Sequence, residues 1–402
     1  MTIQQILVAR ERIRDGIVQT PCIPILGLGE LLPCRLFAKL ENLQRTGSFK
    51  DRGSLNRLLD LSPEERARGV VTASAGNHAQ AVAYHCQRLG IPAAVVMPET
   101  TPLIKVANAR RFGARITFRG ATLSDAMVEA RRIEKDESRV LVHAFDDDLV
   151  IAGQGTIGLE LLEQAPDFDT LIVPIGGGGL LAGIATAIRD ARPNVRIIGV
   201  EADVAASALA SRKAGHIVRI ETGHTIADGI ATKQIGERTF PILERFVDEI
   251  VTVSEEEIAS AVHILIERCK LAAEGAGAAP LAALLNQRFP LDRDESALFV
   301  LSGGNIDINM IARIIDRGLV ADGRLARLMI KVRDRPGQLA GLTDLVARAG
   351  ANVLEISHRR AFADISVGDV EIVMHLETRG RDHVLELISL LEARGHHVDE
   401  DN

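Results

Sequence analysis

Residues 170–191 read TLIVPIGGGGLLAGIATAIRDA, and this stretch decides the fold. It carries no charge from Leu171 to Ile188, long enough to be mistaken for a membrane span. Pro174 and the four glycines Gly176–Gly179 sit in its middle, where they would break a helix. The reading that survives is strand, glycine loop, helix. Four glycines framed by two apolar elements let several backbone amides converge on a phosphate without side-chain obstruction. Neither a Lys-Ser/Thr pair nor a GxGxxG spacing follows, which disfavours a nucleotide site. A plain flexible turn remains the alternative.

Outward from this unit, the same alternation covers roughly residues 35–320. RLFAKLE, GVVTAS, PAAVVMPE, ARITFRG, RIIGVEA and SALFVLSGG are brief apolar runs, several ending in Gly or Ser. Between them lie segments such as HAQAVAYHCQRLG and LSDAMVEARRIEKD, with apolar residues at helical spacing. Strands alternating with helices predict parallel sheets with crossover helices, an α/β fold whose ligands sit at the carboxyl ends of strands. After Gly318–Gly323 the pattern changes. RLARLMIKVRD, ANVLEISHRR, DVEIVMHLET and HHVDED read as strands, RPGQLAGLTDLVARAG and RDHVLELISLLEARG as helices. This βαββαβ order is ferredoxin-like and predicts a separate small domain.

Composition narrows the function. With 402 residues, two or three compact units are expected, and 47% hydrophobic residues suffice to bury real cores. Aromatics are 3%, Trp is absent, and the net charge is −7, so neither base-stacking platforms nor a phosphate-binding surface for nucleic acid is expected. Cys22, Cys34, Cys86 and Cys269 show no metal-ligand spacing and read as buried reduced thiols. The N-terminal MTIQQILVARERIRDG lacks the apolar core of a signal peptide, so a cytoplasmic protein without membrane contact is expected.

Four segments can carry chemistry. ENLQRTGSFKDRGS holds Lys50, off the apolar stripe of Leu55, Leu58 and Leu59; a lysine is the one side chain that forms a Schiff base with an aldehyde cofactor. Taken alone, it is as well explained by a solvated helix start. SAGNHAQ places Ser74, Gly76, Asn77 and His78 between a strand and a helix, where backbone N–H groups can hold a carboxylate, although a simple cap accounts for it equally. PIGGGGL is the glycine loop. FVLSGGN ends a strand with Ser302, whose hydroxyl can bond a ring nitrogen or merely cap a turn.

Together and in this order, the segments resemble the β-family (fold type II, tryptophan synthase β-like) of pyridoxal 5′-phosphate (PLP) enzymes, and within it the threonine ammonia-lyases. The resemblance covers nearly all of residues 5–320. It implies a catalytic domain at 1–320 of two lobes, with a smaller mobile lobe of about 40–147 inserted in it. It also implies Lys50 as the Schiff-base lysine, Asn77 on the cofactor's 3′ oxygen, Gly176, Gly177, Gly178, Gly179 and Leu180 around its phosphate, and Ser302 at the ring nitrogen. Ser74, Gly76, Asn77 and His78 would then hold the substrate. The implied reaction removes water from L-threonine, and from L-serine, giving a 2-oxo acid and ammonia. Asp51 departs from the pattern, since relatives carry an aliphatic residue there.

Residues 325–402 resemble an ACT domain, the βαββαβ module that binds amino-acid effectors. Asp334, Pro336 and Gly337 match its first loop, and Gly350 and Asn352 the turn after its first helix. This implies regulation by an aliphatic amino acid and a homodimer or homotetramer; packing without a ligand is the alternative. Two other functions compete. Serine racemases of the same architecture place a serine before the Gly-Asn-His sequence as a second acid, and here Ala75 stands there. They also hold a divalent metal partly through two acids; Glu201 matches the first, but Ser207 replaces the second, so no metal is expected. A non-catalytic amino-acid sensor with a relict large domain is disfavoured by the intact Lys50, SAGNHAQ and GGGGL segments.

Overall fold

A computed structural model describes residues 1–402 except Pro33, Pro166, 361–365 and Asn402. Two compact units emerge, Met1–Ile306 and Asp307–Asn402.

The first unit is built on two sheets. In the larger, the spatial order is Cys22–Pro24, Arg35–Leu40, Ser296–Leu301, Thr170–Pro174, Arg196–Ala202 and Glu249–Val253. All its pairings are parallel except that of Cys22–Pro24 with Arg35–Leu40. The central strands Thr170–Pro174 and Ser296–Leu301 are buried at every position, as expected where helices cover both faces of a parallel sheet. The smaller sheet is wholly parallel, in the order Arg115–Phe118, Ala93–Met97, Val70–Ala73 and Val140–Leu141. Its strands all lie between residues 70 and 141. The chain therefore leaves the large sheet after Leu40 and rejoins it at Thr170.

Three helices stack the site's parts together. Lys50–Leu59 lies on Asp148–Gln164, which in turn lies on Gly179–Ala191. Glycines set both crossings: a Cβ on Gly153 would come 2.6 Å from the Cα of Gly53, and one on Gly183 would come 2.4 Å from the Ile151 carbonyl oxygen. The lysine-bearing helix is buried more completely than a simple apolar stripe predicts. Asp51, Arg52, Ser54 and Asn56 are buried beside Leu55 and Leu58, whereas Leu59 is half-buried. The charge-free stretch at 171–188 resolves into the strand Thr170–Pro174 and the helix Gly179–Ala191, and no helix among the described residues is long and apolar enough to cross a membrane. All four cysteines are free; Cys34 and Cys86 are buried, but Cys22 and Cys269 are only half-buried.

The second unit opens with the helix Ile308–Ala321. An antiparallel sheet follows, in the order Asn352–Arg359, Asp369–Glu377, Leu325–Arg333 and His397–Glu400, with the helices Gln338–Ala349 and Arg381–Glu392. Leu325–Arg333 alternates half-buried and buried residues, so one face meets a core of Leu328, Ile330, Leu342, Val346, Met374 and Leu387.

Candidate active site

Loops leaving the carboxyl ends of five parallel strands converge in the first unit, where open α/β sheets place their ligands. Lys50 is the first residue of its helix. The loop before it is tied to the end of Ser296–Leu301 by a bridge between Ser48 and Gly303, by the Phe49 N–H on the Ser302 carbonyl (3.0 Å) and by the Gly304 N–H on the Gly47 carbonyl (2.9 Å). Two sequence-distant motifs, TGSFK and SGGN, thus form one floor. Lys50 keeps some surface in the cleft, and its Nζ donates to the Ala144 carbonyl at 2.7 Å. Burial pulls its pKa down to about 8, against the pull of Glu274. An amine so tuned is partly neutral, and therefore nucleophilic, near physiological pH.

The glycine loop forms a cup beside it. A Cβ on Gly177 would lie 2.3 Å from carbons of the Phe145 ring, and one on Gly179 2.9 Å from the Phe145 carbonyl oxygen. Gly178 has φ +88°, a left-handed conformation that glycine alone adopts without strain. Behind the cup, the Gly177 carbonyl accepts from Thr239 Oγ1 (2.7 Å) and the Gly236 N–H (3.2 Å). Gly178 caps the helix Gly179–Ala191, with Leu180 buried in its first turn. Unpaired N–H groups at such a terminus suit a phosphate.

SAGNHAQ divides its labour. Gly76 borders open space and Asn77, the first residue of the helix Asn77–Leu89, reaches across to Glu274, its Nδ2 donating to Oε1 at 2.7 Å. Asn305 Nδ2 donates to Asn77 Oδ1 (2.9 Å) and to the Thr46 carbonyl (2.7 Å). Ser74 Oγ accepts from the Gly76 N–H at 3.2 Å and shapes the loop. His78 is buried between the Val142 carbonyl (3.0 Å from Nε2) and Ser54 Oγ (3.4 Å from Nδ1). Burial and then Lys50 push its pKa down to about 3, so it is neutral. Ser302 is buried at the strand's end.

Three residues that motif reading passed over join the site. Glu274 caps the helix Gly275–Leu285, and burial, then Asp228, push its carboxyl up to about 7. It is the single charged residue between Lys270 and Arg288, a signal that could have found it. Asn305 orients Asn77. His143 Nδ1 accepts from the Asp146 N–H (2.8 Å) and the Phe145 N–H (3.3 Å), which fixes the segment carrying Ala144; burial lowers its pKa, opposed by Asp146.

Elsewhere, Glu201 uses both oxygens on the N–H groups of Ala208 and Leu209 (2.8 Å each), capping the helix Ser207–Ala214. In the second unit, Asp334, Pro336, Gly337, Gly350 and Asn352 are all exposed or half-buried. Gly337 and Gly350 cap opposite ends of the helix Gln338–Ala349, about 20 Å apart at about 1.5 Å per residue. The two groups therefore do not form one pocket within that unit. Asp334 pairs with Arg360 (2.8 Å), which lowers its pKa, and Asn352 Nδ2 donates to Glu377 (3.2 Å).

A buried lysine of lowered basicity beside a glycine cup on a parallel sheet is the construction of a fold type II PLP enzyme. The chain belongs to the family of pyridoxal-phosphate dependent enzymes, which matches residues 13–303, and an ACT domain matches residues 326–393. An L-threonine ammonia-lyase of Geobacter sulfurreducens is 49% identical over 391 residues, 97% of each chain. Among solved structures, a threonine deaminase of T.th. is 44% identical with a TM-score of 0.72, covering 77% of this chain and 99% of that one. A serine racemase from Dictyostelium discoideum is 38% identical with a TM-score of 0.72 over the same shares. The cofactor is pyridoxal 5′-phosphate, and the residues present fit it: Lys50 would take the aldehyde, and the cup, with no room for side chains at Gly177 and Gly179, the phosphate.

Proposed function

We propose that this chain eliminates water from L-threonine, and from L-serine, and releases an enamine that tautomerises and is hydrolysed by water to 2-oxobutanoate or pyruvate and ammonia. The observation that carries the reading is the Lys50 amine held on the Ala144 carbonyl, one residue from the Phe145 ring against which the glycine loop packs, with burial lowering its basicity. PLP, when bound, supplies an aldehyde that captures the substrate amine and a ring that draws electrons from the α-carbon. Lys50 Nζ then takes the α-proton. Gly76 and the first N–H groups of the helix Asn77–Leu89 hold the substrate carboxylate, with Ser74 shaping their loop. Ser302 would offer the ring nitrogen of the bound cofactor a neutral hydroxyl, which would not enforce its protonation and would suit prompt elimination.

Racemisation needs an acid on the opposite face, and Ala75 offers none. With L-threonine, the holoenzyme should release 2-oxobutanoate and ammonia in equal amounts; with L-serine, it should give pyruvate and little D-serine. Chiral chromatography showing D-serine formed as fast as pyruvate would replace this reading with the racemase.

We assign catalysis to residues 1–320, with a mobile lobe of about 40–147, and regulation to 325–402. An aliphatic amino acid, isoleucine or valine first, binds between second units of two copies, at the Asp334, Pro336 and Gly337 loop of one and the Gly350 and Asn352 turn of the other. It shifts the saturation curve through contacts in a homodimer or homotetramer in the cytoplasm. Coupling of about 1–3 kcal/mol, a several-fold change in apparent affinity, is the expected size. Calorimetry detecting no binding outside the active site would leave the unit an assembly module.

A further inference from the structure

Asp51, directly after Lys50, stands where the resemblance calls for an aliphatic residue, and it has no exposed surface. A carboxylate so buried is costly unless its oxygens are all engaged. Here they are. Oδ2 accepts from the Thr46 N–H at 2.8 Å, and Oδ1 from Thr46 Oγ1 at 3.0 Å and from His85 Nε2 at 3.0 Å. His85 is equally buried, and its Nδ1 has no partner among the described residues. Packing alone does not call for the pair: apolar residues at 51 and 85 would leave no unpartnered ring nitrogen, although the Thr46 N–H and Oγ1 would then lose their acceptor. The arrangement ties Thr46 and His85 to one carboxylate and so fixes their orientation.

What it orients follows from where the two residues lie. Asp51 belongs to the helix that begins at Lys50, and His85 to the helix that begins at Asn77. Their hydrogen bond joins the two helices whose first residues serve the site. Thr46, clamped by Asp51, offers its carbonyl to Asn305, which holds Asn77, which donates to Glu274. The buried carboxylate thus reaches the site twice: along the chain to Lys50, and through Thr46 and Asn305 to Asn77.

We infer that Asp51 and His85 are a positioning pair, which holds the Lys50 amine and the Asn77 carboxamide in register for the cofactor. The inference rests on the reading of Lys50 as the reactive amine. The decisive variants are His85→Gln, which keeps an N–H donor near the Nε2 position, and His85→Leu, which does not. Asp51→Leu with His85→Phe makes the pair apolar throughout. In the holoenzyme, His85→Leu and the double variant should lose at least about tenfold in kcat on L-threonine with KM within about twofold. His85→Gln should stay within about threefold of wild type. When apo-protein is mixed with PLP, the visible band of the bound cofactor should appear about tenfold more slowly in His85→Leu and the double variant, with His85→Gln near wild type. This second readout stands even if L-threonine is not the substrate. The double variant strands the Thr46 N–H and Oγ1 and should melt below wild type, so its kinetics are read at a temperature where circular dichroism shows it folded. Wild-type kcat and band formation in a folded double variant would overturn the pair's positioning role, as would equal losses in His85→Gln and His85→Leu.

Discussion

Lys50 and Arg52 lie two residues apart on one helix and meet opposite environments. Arg52 is part of a buried network of two cations and two anions. Its guanidinium donates to Glu41 (2.7 and 2.8 Å), to Glu160 (2.5 and 2.9 Å) and to Thr156 (3.1 Å). Lys39 uses its ammonium on the Thr20 carbonyl (2.6 Å), Glu160 (2.5 Å) and Gln164 (2.9 Å). Burial opposes the charge of Arg52, but the two carboxylates outweigh it and raise its pKa; burial likewise opposes ionisation of Glu41, and Arg52 wins, lowering its pKa. Lys50, by contrast, makes one hydrogen bond among the described residues, and Glu274 accepts from Asn77 instead. A saturated buried charge anchors. An under-coordinated one is free to react.

Replacing each in turn separates the two roles. Lys50→Ala should lower turnover by more than about a thousandfold, since no other group supplies the amine. It should also melt at or above wild type at pH 7. The sign follows from the depressed pKa. Between about 8 and the ordinary 10.5 the unfolded lysine binds the proton and the folded one does not, so the wild-type apo-protein gains stability relative to Lys50→Ala as pH rises through that window. Melting curves from pH 7 to 10.5 check this, and a gap that widens with pH would contradict it. Arg52→Met strands Glu41 and leaves Glu160 with Lys39 as its remaining cation, and should cost about 3–5 kcal/mol in urea unfolding. A loss below about 1 kcal/mol would mean the network is not an anchor.

Much of this contrast was invisible in the sequence. TGSFKDRG shows a lysine and an arginine in like surroundings, and the partners of Arg52 lie 11 and 108 positions away. What could be read was local. Strand, glycine loop and helix at 170–191 announced themselves because their apolar runs and breaks are contiguous, and the βαββαβ order of the second unit did so for the same reason. The strands that escaped are Cys22–Pro24 and Val140–Leu141, too short for any period, and Glu249–Val253, an edge strand flanked by acids. His78 shows the limit of motif reading. It sits in the substrate loop by sequence, yet its ring turns into the lobe between Val142 and Ser54.

A smaller effect sharpens the comparison at the cup. In Gly177→Ala the new methyl must push the Phe145 ring, one residue from the carbonyl that holds Lys50. PLP affinity should fall by about tenfold, roughly 1.4 kcal/mol, with little change in melting temperature of the apo-protein. Titrating apo-protein with PLP measures it, and unchanged affinity would show that the cup tolerates a side chain.

The claim that Lys50 alone among these buried cations is reactive is tested most directly by trapping. Holoenzyme reduced with borohydride and digested should carry the pyridoxyl group on the peptide containing Lys50, with Lys39 unmodified. A label on Lys39 or on any other lysine, with Lys50 bare, would contradict the account.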